Sequence, residues 1–289
     1  MAWNSKLPYF YPNFAFCSNG MKTGVGTVCV SVGLFIAASV GVRAEDIHRS
    51  QACRFELLGS GKVIRVVDGR SVVLEDGREV QISGIEVPPA PALGQPPSAP
   101  AKAALEAILL GQVVELRGHQ DVTDRYGRTV AFVVRQDGAI DVAGDLLARG
   151  YARVAAQVGD AACAAELLSR ERVARTSKLG LWSEPYYDVI EARNAPQLLA
   201  ARGRFSLVEG KVLSVRESGG TIYLNFGRRW SEALTVTISK RHERIFSGAG
   251  LSPKLLESRT VRIRGWIEER NGPRIEANRP EQIEVAGLN

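Results

Sequence analysis

Between Val261 and Ile267 the chain runs Val-Arg-Ile-Arg-Gly-Trp-Ile. If this is a strand, strict alternation puts Arg262, Arg264 and Trp266 on one face and the aliphatic residues on the other. A second alternating run, Thr221 to Phe226, separates Tyr223 and Asn225 from Ile222, Leu224 and Phe226, and Arg228, Arg229 and Trp230 follow it. Arginines interleaved with aromatic rings supply what a single-stranded nucleic acid needs, cations for the phosphates and flat surfaces for the bases. The same pattern also arises on a plain solvated sheet face where arginine lies over tryptophan, and both readings stand. His48, His119 and His242 are scattered and the cysteines are far apart, so the sequence carries no zinc-ligand spacing.

The elements that must position these residues fall into two units. Gly61 to Leu74 reads as two strands joined at Asp68-Gly69-Arg70, with a further turn at Asp76-Gly77 and a strand from Arg78 to Val87. Residues 88–100, rich in proline and alanine, read as loop, and Ala101 to Leu110 as a helix stopped by Gly111. Strands at Val113 to Arg117 and Thr129 to Arg135 flank the turn Asp124-Arg125-Tyr126-Gly127-Arg128, and helices are expected near Val142 to Arg149 and Ala161 to Arg175. After an expected linker at 185–204, strand signals resume at Phe205 to Val215, Thr221 to Phe226, Leu234 to Ser239, Thr260 to Glu268 and Arg274 to Val285, with a helical segment over Lys240 to Leu256. The order β-β-β-α-β-β in each unit predicts an α+β, mainly β chain with two small five-stranded barrels of the oligonucleotide-binding type, at 45–184 and 205–289.

Residues 1–44 contain no acidic side chain, and Val28 to Val42 is almost wholly apolar, ending at Val42-Arg43-Ala44. This predicts a signal peptide cleaved after Ala44, with Met21 the expected start, and a periplasmic or secreted protein without stable membrane insertion; retention of the run as an anchor is the alternative. Once the leader is gone, Cys53 and Cys163 remain as the pair available for a disulfide in an oxidising compartment. The charge is uneven: residues 45–199 are net −3 and 200–289 net +6. A single-stranded nucleic acid or other polyanion is therefore expected to meet residues 200–289 first, and a protein partner is the other open expectation.

From Gly61 to Glu184 the chain resembles the staphylococcal-type thermonuclease family. The resemblance rests on Val67-Asp68-Gly69, Gly84-Ile85-Glu86-Val87-Pro88, the Asp124 to Arg128 turn and Gly180-Leu181-Trp182-Ser183-Glu184. The second unit is similar to the second domain of two-domain bacterial members. The resemblance implies an oligonucleotide-binding barrel that cleaves nucleic acid with Ca²⁺ held by two carboxylates, a glutamate that activates water, and two arginines on the phosphate. In this chain Arg70 stands at the first calcium aspartate and Glu86 at the second. Val87 and Pro89 replace the threonine and the catalytic glutamate, Gln81 replaces one arginine, and Arg128 is retained. The remnants of the catalytic set are thus Glu86 and Arg128, and the resemblance implies a lost Ca²⁺ site with no other cofactor. Arg70 either binds phosphate without metal or bridges to Glu86; Arg128 either meets phosphate or pairs with Asp124. The leading reading is a catalytically degenerate module that binds nucleic acid or protein. The alternatives are an active phosphodiesterase with a site rearranged around Glu86 and Arg128, and a structural envelope scaffold.

Overall fold

The computed structural model describes residues 53, 55–88, 99–119, 123–138 and 140–286. The expected signal peptide and Pro89 lie outside these residues.

The first unit is a closed barrel in the order β1-β2-β3-β6-β5, the architecture expected from the strand order. Strand β1 (Glu56–Asp68) is long enough to serve two neighbours, pairing with β5 (Val113–Gly118) through its first half and β2 (Ser71–Leu74) through its second. Register shifts between Leu57 and Gly59 and between Val63 and Arg65 bend it, as bulges do. Strand β3 (Glu79–Ile82) pairs antiparallel with β2 and parallel with β6 (Thr129–Arg135), which closes the ring on β5. Alternate residues Val72, Leu74, Val80, Ile82, Val114, Leu116, Ala131 and Val133 fill the interior. The two-residue strands β4 (Ile85–Glu86) and β7 (Arg153–Val154) pair antiparallel outside the ring. Helices α1 (Ala99–Leu109), α2 (Val142–Ala148) and α3 (Ala161–Thr176) cover the barrel with Leu105, Leu109, Leu146 and Leu167.

Asp160 caps α3, its carboxylate accepting the backbone N–H of Cys163 at 2.8 Å. Cys163 is joined to Cys53 by a disulfide, the pairing expected from the sequence. The Gly180-Leu181-Trp182 ending has a steric reason: Gly180 has φ +53°, and a Cβ there would lie 2.5 Å from the carbonyl oxygen of Gly150. Only glycine allows that approach, which seats Trp182 in the interior.

The segment 185–204 is not a linker. It contributes strand β8 (Ile190–Glu191), which pairs parallel with β9 (Phe205–Lys211), and helix α4 (Ala195–Ala200), capped by the Asn194 side chain on the N–H of Gln197. Ile190, Ala192 and Leu198 enter the second core, and the Arg204 guanidinium lies 3.7 Å from the centre of the Tyr186 ring. Burial of those apolar residues outweighs the loop character that Pro185 and Pro196 suggest.

The second unit repeats the first barrel's strand order with two strands broken in two. The run expected as one strand from Phe205 to Val215 splits at Val212-Leu213 into β9 and β10 (Ser214–Ser218). After β11 (Thr221–Asn225), β12 (Thr235–Ser239) and α5 (Glu243–Gly248), the next strand splits at Ile267 into β13 (Thr260–Trp266) and β14 (Glu268–Glu269). Strand β15 (Pro273–Glu276) runs parallel to β12, as β6 does to β3, and β16 (Ile283–Val285) closes on β13. The breaks divide the ring into a five-stranded sheet, β10-β11-β12-β15-β14, and a four-stranded sheet, β16-β13-β9-β8, around a shared core. The helix expected over Lys240 to Leu256 is shortened to α5, because the chain turns left-handed at Gly250, φ +75°. No described helix is long and apolar enough to cross a membrane.

Candidate functional site

In the first barrel, the turn between β1 and β2 presents Arg70, and β4 presents Glu86. The Arg70 backbone N–H donates to Asp68 Oδ1 at 2.9 Å, fixing the turn, and Arg70 Nη1 donates to Glu86 Oε2 at 2.7 Å. Both side chains are half-buried. Burial pushes the Glu86 carboxyl above the usual carboxylate range, with the Arg70 charge opposing it.

Arg128 follows the turn at Gly127 and is held on two sides. Its Nε donates to Asp124 Oδ2 at 2.7 Å, its Nη2 donates to Gln81 Oε1 at 2.6 Å, and Glu79 lies 3.8 Å away. The same aspartate shapes the turn, since Asp124 Oδ1 accepts the backbone N–H groups of Tyr126 and Arg128. The hydrogen bond from Arg128 to Asp124 raises the guanidinium above its ordinary value, against a smaller desolvation effect. Gln81 thus helps to position Arg128. Val87 packs against the barrel core. Among the described residues no group of three His, Cys, Asp or Glu side chains converges as metal ligands do.

The second-barrel set divides. Alternation along β13 holds, with Val261 and Ile263 in the core, but the opposite face does not meet solvent as expected. Arg264 is 1% exposed. Its Nη1 donates to Glu171 Oε2 at 2.8 Å and to the Val154 carbonyl at 3.1 Å, and its Nη2 donates to Glu171 Oε1 at 3.1 Å and Glu284 Oε1 at 2.6 Å. Arg262 is paired to Glu209 on β9. Helix α3 of the first barrel and β16 cover Arg264, which has structural partners and no opening for a nucleic acid, whereas Arg262, paired to Glu209, keeps part of its side chain exposed. Trp266 is exposed and meets Phe205 edge-on at 5.9 Å.

Glu171, fully buried, is the centre of a latch between the barrels. It also accepts the Val154 N–H at 2.6 Å and Arg175 Nη1 at 2.8 Å. Burial alone would raise its carboxyl; Arg264, Val154 and Arg175 together bring it below the ordinary value. Arg153 lies beside it, donating to the carbonyls of Phe205 and Tyr187 at 2.8 and 2.5 Å and stacking over Trp182. Its desolvation lowers that guanidinium to about 10, so it stays charged at neutral pH. Sequence reading missed Glu171, although it is the one acidic residue in phase with Ala164, Leu167 and Ala174 on the buried face of α3.

Tyr223, Arg228 and Trp230 come together at the other sheet. Tyr223 and Trp230 stack with centroids 6.1 Å apart and planes 10° from parallel. Arg228 and Trp230 line a pocket of about 480 Å³ with Asn225, which alternation had put on the face of Tyr223, and with Arg216, which sequence reading missed. The pairing register could have found it, because Arg216 lies across from Tyr223.

Residues 79–184 match the family model for staphylococcal nuclease homologues. Over 232 residues the chain is 29% identical to a protein of Verticillium alfalfae named probable endonuclease LCL3, an alignment covering 75% of this chain and 77% of that one.

Proposed function

We propose, from the premise that this chain is a staphylococcal-nuclease-like protein, that its first barrel has lost calcium-dependent cleavage and that the chain works as an exported binding module. The observation that carries this is Arg70 on Glu86 at 2.7 Å. Calcium takes six to eight oxygen ligands. Here the remaining carboxylate is engaged by a guanidinium, and the other ligand position is itself that cation. The donor set does not suit Ca²⁺, and the chemistry left to the site is recognition.

The second catalytic requirement is a base. Pro89 has no titratable group at the position of the family glutamate, and removing a general base costs about 10²–10⁴ in rate. Arg128 is spoken for by Asp124 and Gln81, which makes it a rigid element of the turn. The disulfide Cys53–Cys163 fits an oxidising compartment and supports export. The name of the Verticillium alfalfae protein favours a second reading, a phosphodiesterase using Glu86 and Arg128 without the family base. Incubating the full chain with single- and double-stranded DNA and with RNA, in Ca²⁺ or in chelator, separates the two. The proposal expects intact substrate in every arm; cleavage abolished by chelator supports the second reading.

A further inference from the structure

Ser214, Arg216, Tyr223 and Asn225 occupy one face of the β10-β11 pair, since Ser214 is opposite Asn225 and Arg216 opposite Tyr223. The other face, with Ile222 and Leu224, belongs to the core. The loop after β11 folds back over the polar face and lays Trp230 on Tyr223. The turn at Gly272 holds it there: a Cβ on that glycine would lie 1.9 Å from the Trp230 carbonyl oxygen. A pocket of about 480 Å³ results, and three of its side chains are exposed and unused.

Trp230 keeps 52% of its surface exposed. Arg216 and Arg228 are exposed and have no acidic partner among the described residues, whereas neighbouring Arg229 is paired to Glu232 at 2.9 Å. Asn225 is only 4% exposed; its Nδ2 reaches Ser214 Oγ at 3.3 Å, but its Oδ1 accepts no hydrogen bond from any described residue. That oxygen is sealed from solvent, so the groups the pocket offers to a ligand are the exposed Trp230, Arg216 and Arg228.

We propose that this pocket holds a nucleotide of a single-stranded nucleic acid, its base stacked on Trp230 and its flanking phosphates on Arg216 and Arg228. Every base has a flat face, so stacking on Trp230 accepts any of them. The charge of +6 on residues 200–289 draws the strand to this barrel. The inference deepens the binding-module reading and takes its class of ligand from it.

The test is fluorescence anisotropy of the full chain with labelled mixed-sequence oligonucleotides of about twelve nucleotides, within the span of one such barrel. DNA and RNA strands are tried separately, in chelator, so that binding is read whether or not the chain can cleave. W230A is expected to weaken binding about five- to 150-fold. Substitutions R216Q and R228Q are each expected to flatten the plot of log affinity against log salt by about 0.7. Because these three side chains are exposed, the variants keep their cores, and matching circular dichroism spectra check it. Binding that W230A and R216Q/R228Q leave unchanged overturns the site, as does failure of the unaltered chain to bind either strand. Cleavage of the same strands on adding Ca²⁺ would instead contradict the degenerate first barrel and leave this assignment to its own result.

Discussion

Arg264, on β13 of the second barrel, and Glu171, on α3 of the first, are joined by two hydrogen bonds of 2.8 and 3.1 Å in a place neither side chain shares with water. Two ions taken out of water are stable only when their remaining groups are satisfied. Here they largely are, by Glu284, Arg175 and the backbone of Val154. The small apolar cluster of Ala174, Trp182 and Leu207 adds to the same junction. The barrels are therefore coupled, and neither is expected to behave as a module on its own.

Replacing Arg264 with Met strands the buried Glu171 charge. R264M is expected to lower stability by about 3–5 kcal/mol, the usual effect of removing one partner of a buried pair. Urea unfolding followed by tryptophan fluorescence measures it, and an unchanged midpoint would show that the latch contributes nothing.

Acid should weaken the same junction. A carboxyl held below its ordinary value contributes stability that is complete above the unfolded value and is lost as pH falls through the folded one. For Glu171 that window lies below about pH 4.3. Glu86, raised by burial, has the opposite sign: its term favours the fold at low pH and is lost as pH rises through its folded value. The E171Q chain, although less stable at neutral pH, should lose less stability between pH 5 and 3 than the unaltered chain, on the order of the ordinary carboxylate range. Parallel pH profiles for the two would contradict this.

Much of this architecture is legible in local pattern. Alternation located the strands, Asp68-Gly69-Arg70 and Asp76-Gly77 their turns, and the motifs from Val67 to Glu184 the first barrel. Parity along β13 also came through, since Val261 and Ile263 do face the core. What covers the other face did not, because Arg264 finds its partner 93 positions away and no local rule reports that distance. The segment 185–204 failed for the same reason: β8 is two residues long and exists only through its pairing with β9. The pocket at Trp230 was half legible, as Tyr223 and Asn225 were evident from alternation and Arg228 and Trp230 from the loop that follows, while Arg216 needed the strand register.

The disulfide should matter to the whole first barrel. Cys53 and Cys163 are 110 positions apart, so their bond constrains a long stretch of the unfolded chain. Reduction is expected to lower stability by about 2–5 kcal/mol. Thermal melts with and without reductant measure this, and free thiols in the non-reduced protein would contradict it.

Arg70 should govern the titration of Glu86. Burial raises that carboxyl and Arg70 opposes it, so R70A leaves burial unopposed and moves the value further up. Carboxyl chemical shifts followed by NMR across the acid range report the change. A Glu86 value that stays or falls in R70A would mean that the guanidinium does not hold the carboxylate in solution.

The most direct measurement of the central claim is calcium-dependent cleavage of single-stranded DNA by the unaltered chain beside R70D/Q81R/V87T/P89E. On the family resemblance, the four changes supply the ligand, the second arginine, the hydroxyl and the base together, because a base without metal has no activated water to use. The account predicts no cleavage by the unaltered chain and chelator-sensitive cleavage by the restored one. Chelator-sensitive cleavage by the unaltered chain, with Arg70 still in place, would contradict it.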